Sequence, residues 1–342
     1  MNRKEFLTST STLLAVGSLP VMAPAHSFST DPVPQIPPYL EKGDLIGITS
    51  PAGYLLPGDM IPTIRQLEAW GFRVLTGVTI GKRSGSLAGT DEERLADIQS
   101  MLDNPEVKAI FCARGGYGSV RIVEQIDWSR FRKRPKWILG FSDITVLHSY
   151  INRNIGVASL HSKMGNAFPA DPLNIDQVIR ETAESIRQAL TGGVICYPVK
   201  PHARNRQGIA QGVLVGGNLK TLESLSGSKS DLDTRNKILF VEDVGEYLYS
   251  IDRMFWNLKQ TGKLEKLAGL VIGGFRMKPM ENPEEEFGLD LYDIVLEKVK
   301  GQKYPVCFDF PVGHQKNNYA LKCGVRHKLV VGGENVSLTE NL

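Results

Sequence analysis

The sequence predicts an α/β protein of two domains whose sheets are mainly parallel. Three observations carry this. At 342 residues the chain is long enough for two domains. Its 42% apolar residues can fill packed cores. Short apolar runs alternate with segments of helical period, the pattern of a parallel sheet covered on both faces.

In order, Leu45 to Ser50 reads as a first strand ending at Pro51-Ala52-Gly53, and Ile61, Ile64, Leu67 and Trp70 recur at helical spacing. A second strand covers 72–75, and the Gly/Ser-rich stretch 81–89 reads as a flexible loop. Thr90-Asp91-Glu92-Glu93 is a capping box opening a helix with Leu95, Ile98 and Leu102 inward. The strand 107–112 runs into Arg114-Gly115-Gly116-Tyr117-Gly118 and a helix carrying Val120, Val123 and Ile126. The next strand, Trp137 to Leu139, ends in Gly140-Phe141-Ser142-Asp143. An apolar strand 156–160 leads to His161. Helix 178–190 lies in a crossing segment, 169–207, which separates the first domain (41–168) from the second (208–342). Second-domain strands are expected at 212–219, 238–243, 270–274, 306–310, 329–331 and 336–338, with a short helix from Leu222 and one carrying Ile251, Met254, Phe255 and Leu258.

Residues 1–25 read as an export signal. Arg3 and Lys4 form a basic start, 13–22 is apolar, and Ala23-Pro24-Ala25 matches a cleavage site. The apolar part is too short for stable membrane insertion, so the expectation is an exported, periplasmic protein. Pro- and Ser-rich residues make 26–40 a linker. A net charge of +3 is too small to argue for nucleic acid or a membrane surface, and no Lys/Arg-rich block is expected to change that. Cys112, Cys196, Cys307 and Cys323 form no C-x-x-C pair, so no zinc site is expected. Cys112 reads as a buried free thiol.

Ser142 stands at a strand-to-helix turn, where a hydroxyl is exposed beside free helix N–H groups. The bland alternative is that Ser142 or Asp143 only caps the helix. A hydroxyl needs a base, and a carboxylate must hold that base in the right tautomer. Glu242 and His314 sit at later strand ends and supply both. His161 competes with His314, and Asp243 with Glu242, since neighbours on a strand face opposite sides. His148 is expected to pack or cap, and His202 and His327 to lie on the surface. Glycine at 115–116 lets backbone N–H groups turn toward a ligand. The N–H of Gly116 and that of Asp143 are the expected oxyanion donors. The phosphate-cradle alternative lacks the G-x-G-x-x-G or P-loop spacing.

These motifs together resemble the serine-type LD-carboxypeptidases. Gly216-Gly217-Asn218-Leu219, Phe240-Val241-Glu242-Asp243, Ile251-Asp252-Arg253, Pro311-Val312-Gly313-His314 and Asn318-Tyr319-Ala320-Leu321 extend the resemblance over 43–338. It implies a three-layer α/β N-terminal domain and a smaller, β-rich C-terminal one, with the site between them. It implies Ser142 as nucleophile, His314 as base, Glu242 as orienting carboxylate, and Gly116 and Asp143 as oxyanion donors. It also implies removal of the terminal D-alanine from murein tetrapeptides, with no metal or other cofactor, by what is often a homodimer. Where many such proteins have His-Gly-Pro-Met, this chain has His161-Ser162-Lys163-Met164. Arg114 and Lys163 are the expected holders of the substrate's terminal carboxylate. The alternatives are an antibiotic-immunity peptidase of the same fold and an inactive murein-binding protein.

Overall fold

The computed structural model describes residues 34–165, 168 and 176–341. The expected export signal and the first part of the expected linker lie outside them. Among the described residues no helix is long and apolar enough to cross a membrane.

The first sheet contains β1 (Leu45–Thr49), β2 (Arg73–Thr76), β3 (Val107–Cys112), β4 (Trp137–Gly140) and β5 (Ser159–His161), all parallel. Its order is β11-β5-β4-β3-β1-β2, where β11 (Leu321–Cys323) comes from the far end of the chain and pairs antiparallel with β5. Helices cover both faces. On one lie α1 (Ile61–Ala69) and α6 (Gln177–Leu190). On the other lie α2 (Asp91–Asp103), α3 (Ser119–Ile122), α4 (Ser129–Lys133) and α5 (Thr145–Tyr150). The capping box forms as expected: Glu93 N–H donates to Thr90 Oγ1 and Thr90 N–H to Glu93 Oε2. Below it α2 buries Arg94 and Asp97 beside Ile98 and Leu102, which apolar spacing alone could not reveal.

The second sheet has the order β10-β9-β8-β7-β12-β13-β6. Here β6 is Cys196–Val199, β7 Gly208–Asn218, β8 Ile238–Val244, β9 Gly269–Arg276, β10 Val306–Cys307, β12 Arg326–Val331 and β13 Val336–Glu340. β7 to β10 are parallel and the other half is antiparallel. α7 (Leu219–Ser224), α8 (Leu248–Gln260) and α9 (Leu291–Lys298) cover one face. The other face shares a core with the first sheet: Ile46, Phe111 and Trp137 belong to one cluster with Leu214, Phe240 and Leu329.

Several expectations change. The crossing segment contributes β6, an edge strand of the second sheet. The last part of the linker is docked: Gln35 N–H donates to Gly156 O, and Leu40 is buried. His327 is fully buried on β12, its Nδ1–H given to Val325 O, because alternation turns it inward between polar neighbours. The expected strand 306–310 pairs over only two residues. Strand β11 also carries a buried ion pair. Lys322 Nζ donates to both oxygens of Glu340 on β13 (3.1 and 2.9 Å) and to Tyr39 Oη (3.2 Å). Removing one partner would strand the other charge, a loss of about 3–5 kcal/mol.

Candidate active site

β4 is a short, fully buried strand, and the chain leaves it through Phe141 into a 3₁₀ turn, Ser142–Ile144, that continues as α5. Ser142 has φ 60°, a left-handed conformation that costs a non-glycine residue about 1–2 kcal/mol. The turn is held from three sides. Ile144 N–H donates to Phe141 O, and His148 Nε2–H, one turn into α5, donates to Gly140 O. Asp143 Oδ2 accepts from Ser119 N–H (2.8 Å), tying the turn to the end of the glycine loop. That loop is anchored at Gly118 O by the buried Arg94 guanidinium, which also reaches Pro51 O. Ser142, Asp143, Gly115 and Gly116 therefore border one space, and a Cβ on Gly115 would lie 3.1 Å from that of Ser142.

Glu242 lies on β8 and is fully buried; His314 follows β10 on a loop. His314 Nδ1 and Glu242 Oε2 are 2.6 Å apart, and the His314 N–H also donates to that oxygen at 3.0 Å. With Nδ1–H committed to the carboxylate, Nε2 is the nitrogen without a partner among the described residues. The loop is fixed by Asn318, whose Oδ1 accepts from Gly313 N–H, and by Val312 O, which accepts from Gly274 N–H. Gly313 takes φ 102° against the Glu242 side chain, where a Cβ would come within 2.4 Å of Glu242 Cβ. Phe141, next to the serine, packs its ring 4.8 Å from the His314 ring.

The two sheets bring these groups together at their carboxyl ends, where ligands gather in such folds. Gly217 makes the approach possible: its φ is 147°, and a Cβ would sit 2.4 Å from Thr145 Oγ1. Asn218 N–H then donates to that hydroxyl at 3.0 Å. The result is an open cavity of about 740 Å³ whose walls include Ser142, His314, Arg114, Asn218, Lys220 and Asp243. Ser142 and His314 thus border one cleft, with Glu242 buried behind His314.

Other expectations divide. Arg114 lines the cleft, its Nη1 donating to Tyr54 O. Lys163 does not: its ammonium donates to Gln315 O, and it borders a smaller neighbouring cavity with Phe168 and Lys316. Burial holds its pKa below the usual lysine value. Lys163 is therefore a strut for the His314 loop, and the second cation of the cleft is Lys220, which the sequence reading missed. His161 is fully buried behind Phe141 and Phe240, with its pKa pushed well down by burial and by the neighbouring imidazoles. It packs and does not line the cleft. Glu242 and Asp243 both lie at the site. The β8–β9 register shifts between Val241 and Asp243, and Asp243 faces the cavity while Glu242 turns to the histidine. Asp243 accepts N–H bonds from Lys220 and Val244, yet burial raises its pKa to about 6.

A buried carboxylate, an imidazole and a serine on a strained elbow are the groups that serine hydrolases on α/β frames use. The known proteins narrow this. Residues 46–162 match the LD-carboxypeptidase N-terminal domain and 211–329 the LD-carboxypeptidase C-terminal domain. The chain belongs to the LD-carboxypeptidase family, serine-type carboxypeptidases and hence hydrolases. It is 36% identical to a Bacillus subtilis protein named "probable murein peptide carboxypeptidase", over 85% of this chain and 90% of that one. It is 30% identical to the murein tetrapeptide carboxypeptidase of Pseudomonas aeruginosa, over 82% of this chain and 91% of that one. The crystal structure of muramoyltetrapeptide carboxypeptidase from Oxalobacter formigenes superposes with a TM-score of 0.76 at 28% identity, covering 87% of this chain and 99% of that one.

Proposed function

We propose that this chain removes the terminal D-alanine from murein tetrapeptides through a Ser142–His314–Glu242 triad, without a metal. The observation that carries this is the 2.6 Å contact between His314 Nδ1 and Glu242 Oε2 at the edge of a cavity that Ser142 borders. Ser142 Oγ attacks the carbonyl carbon of the last peptide bond as His314 Nε2 takes its proton. The Glu242 carboxylate steadies the imidazolium. The N–H groups of Gly116 and Asp143 receive the oxyanion, a stabilisation of about 3–4 kcal/mol per donor. Collapse breaks the C–N bond, His314 returns the proton to the leaving amine, and D-alanine departs. Water, deprotonated by His314, then frees the acyl group. Arg114 and Lys220 supply the positive charge that a free terminal carboxylate requires.

Ser142→Ala should lower the rate of alanine release by about 10⁵–10⁶-fold. The measurement is mass spectrometry of a muropeptide digest, where tetrapeptide loses one alanine. Turnover that persists in the variant, or that a chelator abolishes, refutes the reading. The proposal extends to an exported, periplasmic enzyme that assembles as a homodimer. Cell fractionation tests the location, and light scattering on the purified protein tests the assembly.

A further inference from the structure

The expectation of a chain without a basic block fails at 129–136. These eight residues hold Arg130, Arg132, Lys133, Arg134 and Lys136 and no acid, which leaves 35 Lys and Arg against 37 Asp and Glu elsewhere, a net −2. The net excess of positive charge in the sequence is thus carried by this block. Arg130, Arg132, Lys133 and Arg134 are exposed on and just after α4, with Lys108 exposed at the start of the adjacent β3. Lys136 is consumed by the fold, since its ammonium caps the carbonyls of Met101 and Asn104 at the end of α2. Burial and the nearby charges of Lys108 and Arg134 lower its pKa to about 8 despite the opposing carboxylate of Asp103. Asp103, 3.8 Å from Arg130, and the exposed Asp127, whose carboxylate also feels Arg130, compensate part of the patch. Arg130, Lys133 and Arg134 rim a cavity of about 340 Å³ floored by Leu102 and Lys136.

The chemistry of the patch is charge without stacking. Trp128, Phe131 and Trp137 are all buried, so no aromatic face is offered to a base or a sugar ring. No large apolar side chain of 129–136 is exposed to enter a bilayer core. Arg132 turns away to donate to Asn154 O, but Arg130, Lys133 and Arg134 gather about one cavity and suit a plane of anionic headgroups, each basic side chain near such a surface gaining roughly fivefold in binding. The position matters as well. The block precedes β4, whereas Ser142 follows it, so the patch and the catalytic mouth lie at opposite ends of the same strand.

We propose that Arg130, Lys133 and Arg134, with Lys108, form a docking surface for an anionic phospholipid bilayer that leaves the cleft open to solution. The test is cosedimentation of the full chain with vesicles of phosphatidylglycerol in phosphatidylcholine, against phosphatidylcholine alone and against murein sacculi. The comparison is with the triple variant Arg130→Gln, Lys133→Gln, Arg134→Gln. An equal-charge control takes Lys200→Gln, Lys300→Gln and Lys328→Gln, three exposed sites elsewhere. The proposal expects binding to the anionic vesicles that weakens with salt. It expects about a hundredfold loss in the patch variant and retention in the control. Circular dichroism should show the patch variant folded, with a thermal midpoint no lower than that of the parent, because neutralising crowded like charges does not cost stability. Equal binding by parent and patch variant overturns the proposal, as do equal loss in both triples, no preference for anionic vesicles, and capture by sacculi in place of vesicles.

Discussion

Ser142 and His314 reach one cavity by opposite means. The serine is placed locally: strand, glycine, turn and helix lie within Trp137 to Tyr150, and its geometry is held in a strained backbone at φ 60°. The histidine is placed from a distance. Its partner Glu242 is 72 residues away on another strand, and its loop is tied down by Asn318 and by Gly274 on β9. The serine's half of the site therefore adds a strained backbone to its hydrogen bonds, whereas the histidine's half rests on hydrogen bonds between distant segments. Substitutions in the two halves should fail in different ways.

Among substitutions that keep the Ser142 hydroxyl, the largest effect is expected in the distant half. Glu242→Gln keeps the shape but offers His314 a poorer partner and can favour the wrong tautomer. We expect kcat to fall about 10⁴-fold with little change in KM. Steady-state kinetics on tetrapeptide check this, and a loss under tenfold would show that Glu242 is not the orienting group.

Acid compares the two sheets on equal terms. Burial lowers the pKa of His148, behind the serine, and of His327, on β12, each to about 4. An unfolded histidine titrates near 6.5, so between pH 6.5 and 4 the unfolded state binds more protons and stability falls as pH falls. Each should cost about 3 kcal/mol at pH 4. His161, shifted the same way, adds to this. Asp243 opposes it. Its raised pKa of about 6 favours the folded state by about 3 kcal/mol below the carboxylate range, a contribution lost as pH rises through 6. Three histidines against one aspartate leave a net loss in acid. Urea unfolding at a series of pH values should show it, and Asp243→Asn should make it steeper.

Gly217→Ala tests the join between the halves. The new Cβ would meet Thr145 Oγ1 at 2.4 Å, and relief requires the end of β7 to move away from α5. We expect a loss of about 2–3 kcal/mol in stability, with kcat reduced more than KM is raised. Unfolding and kinetics measured on the same preparation distinguish this from a purely local clash, which would spare kcat.

What could be read from the sequence follows the same division. The elbow was legible because its strand, glycine and turn are neighbours of Ser142, although the tie from Ser119 to Asp143 was not. Glu242 and His314 were legible only as strand-end candidates, and a family resemblance was needed to choose them over Asp243 and His161. Lys163 misled because it is near the site in sequence, whereas its ammonium is taken by Gln315 O. Lys220 was missed because a lysine early in a short helix has no local signature. It enters the cleft only once β7 and β8 are paired. Strand β11 was invisible for a similar reason: three residues, paired with a strand some 160 positions earlier, carry no period of their own.

The smallest predicted effect isolates the strain itself. Ser142→Ala and Ser142→Gly both remove the hydroxyl and should be equally inactive. They differ in backbone cost, because alanine keeps a Cβ in the left-handed region and glycine does not. If the turn stores strain, Ser142→Gly should be the more stable of the two by about 1 kcal/mol in urea unfolding, even though glycine elsewhere loosens the unfolded chain and costs stability. Equal stability, or alanine the more stable, would mean that the elbow holds Ser142 without strain, and the contrast between the two halves of the site would then rest on sequence distance alone.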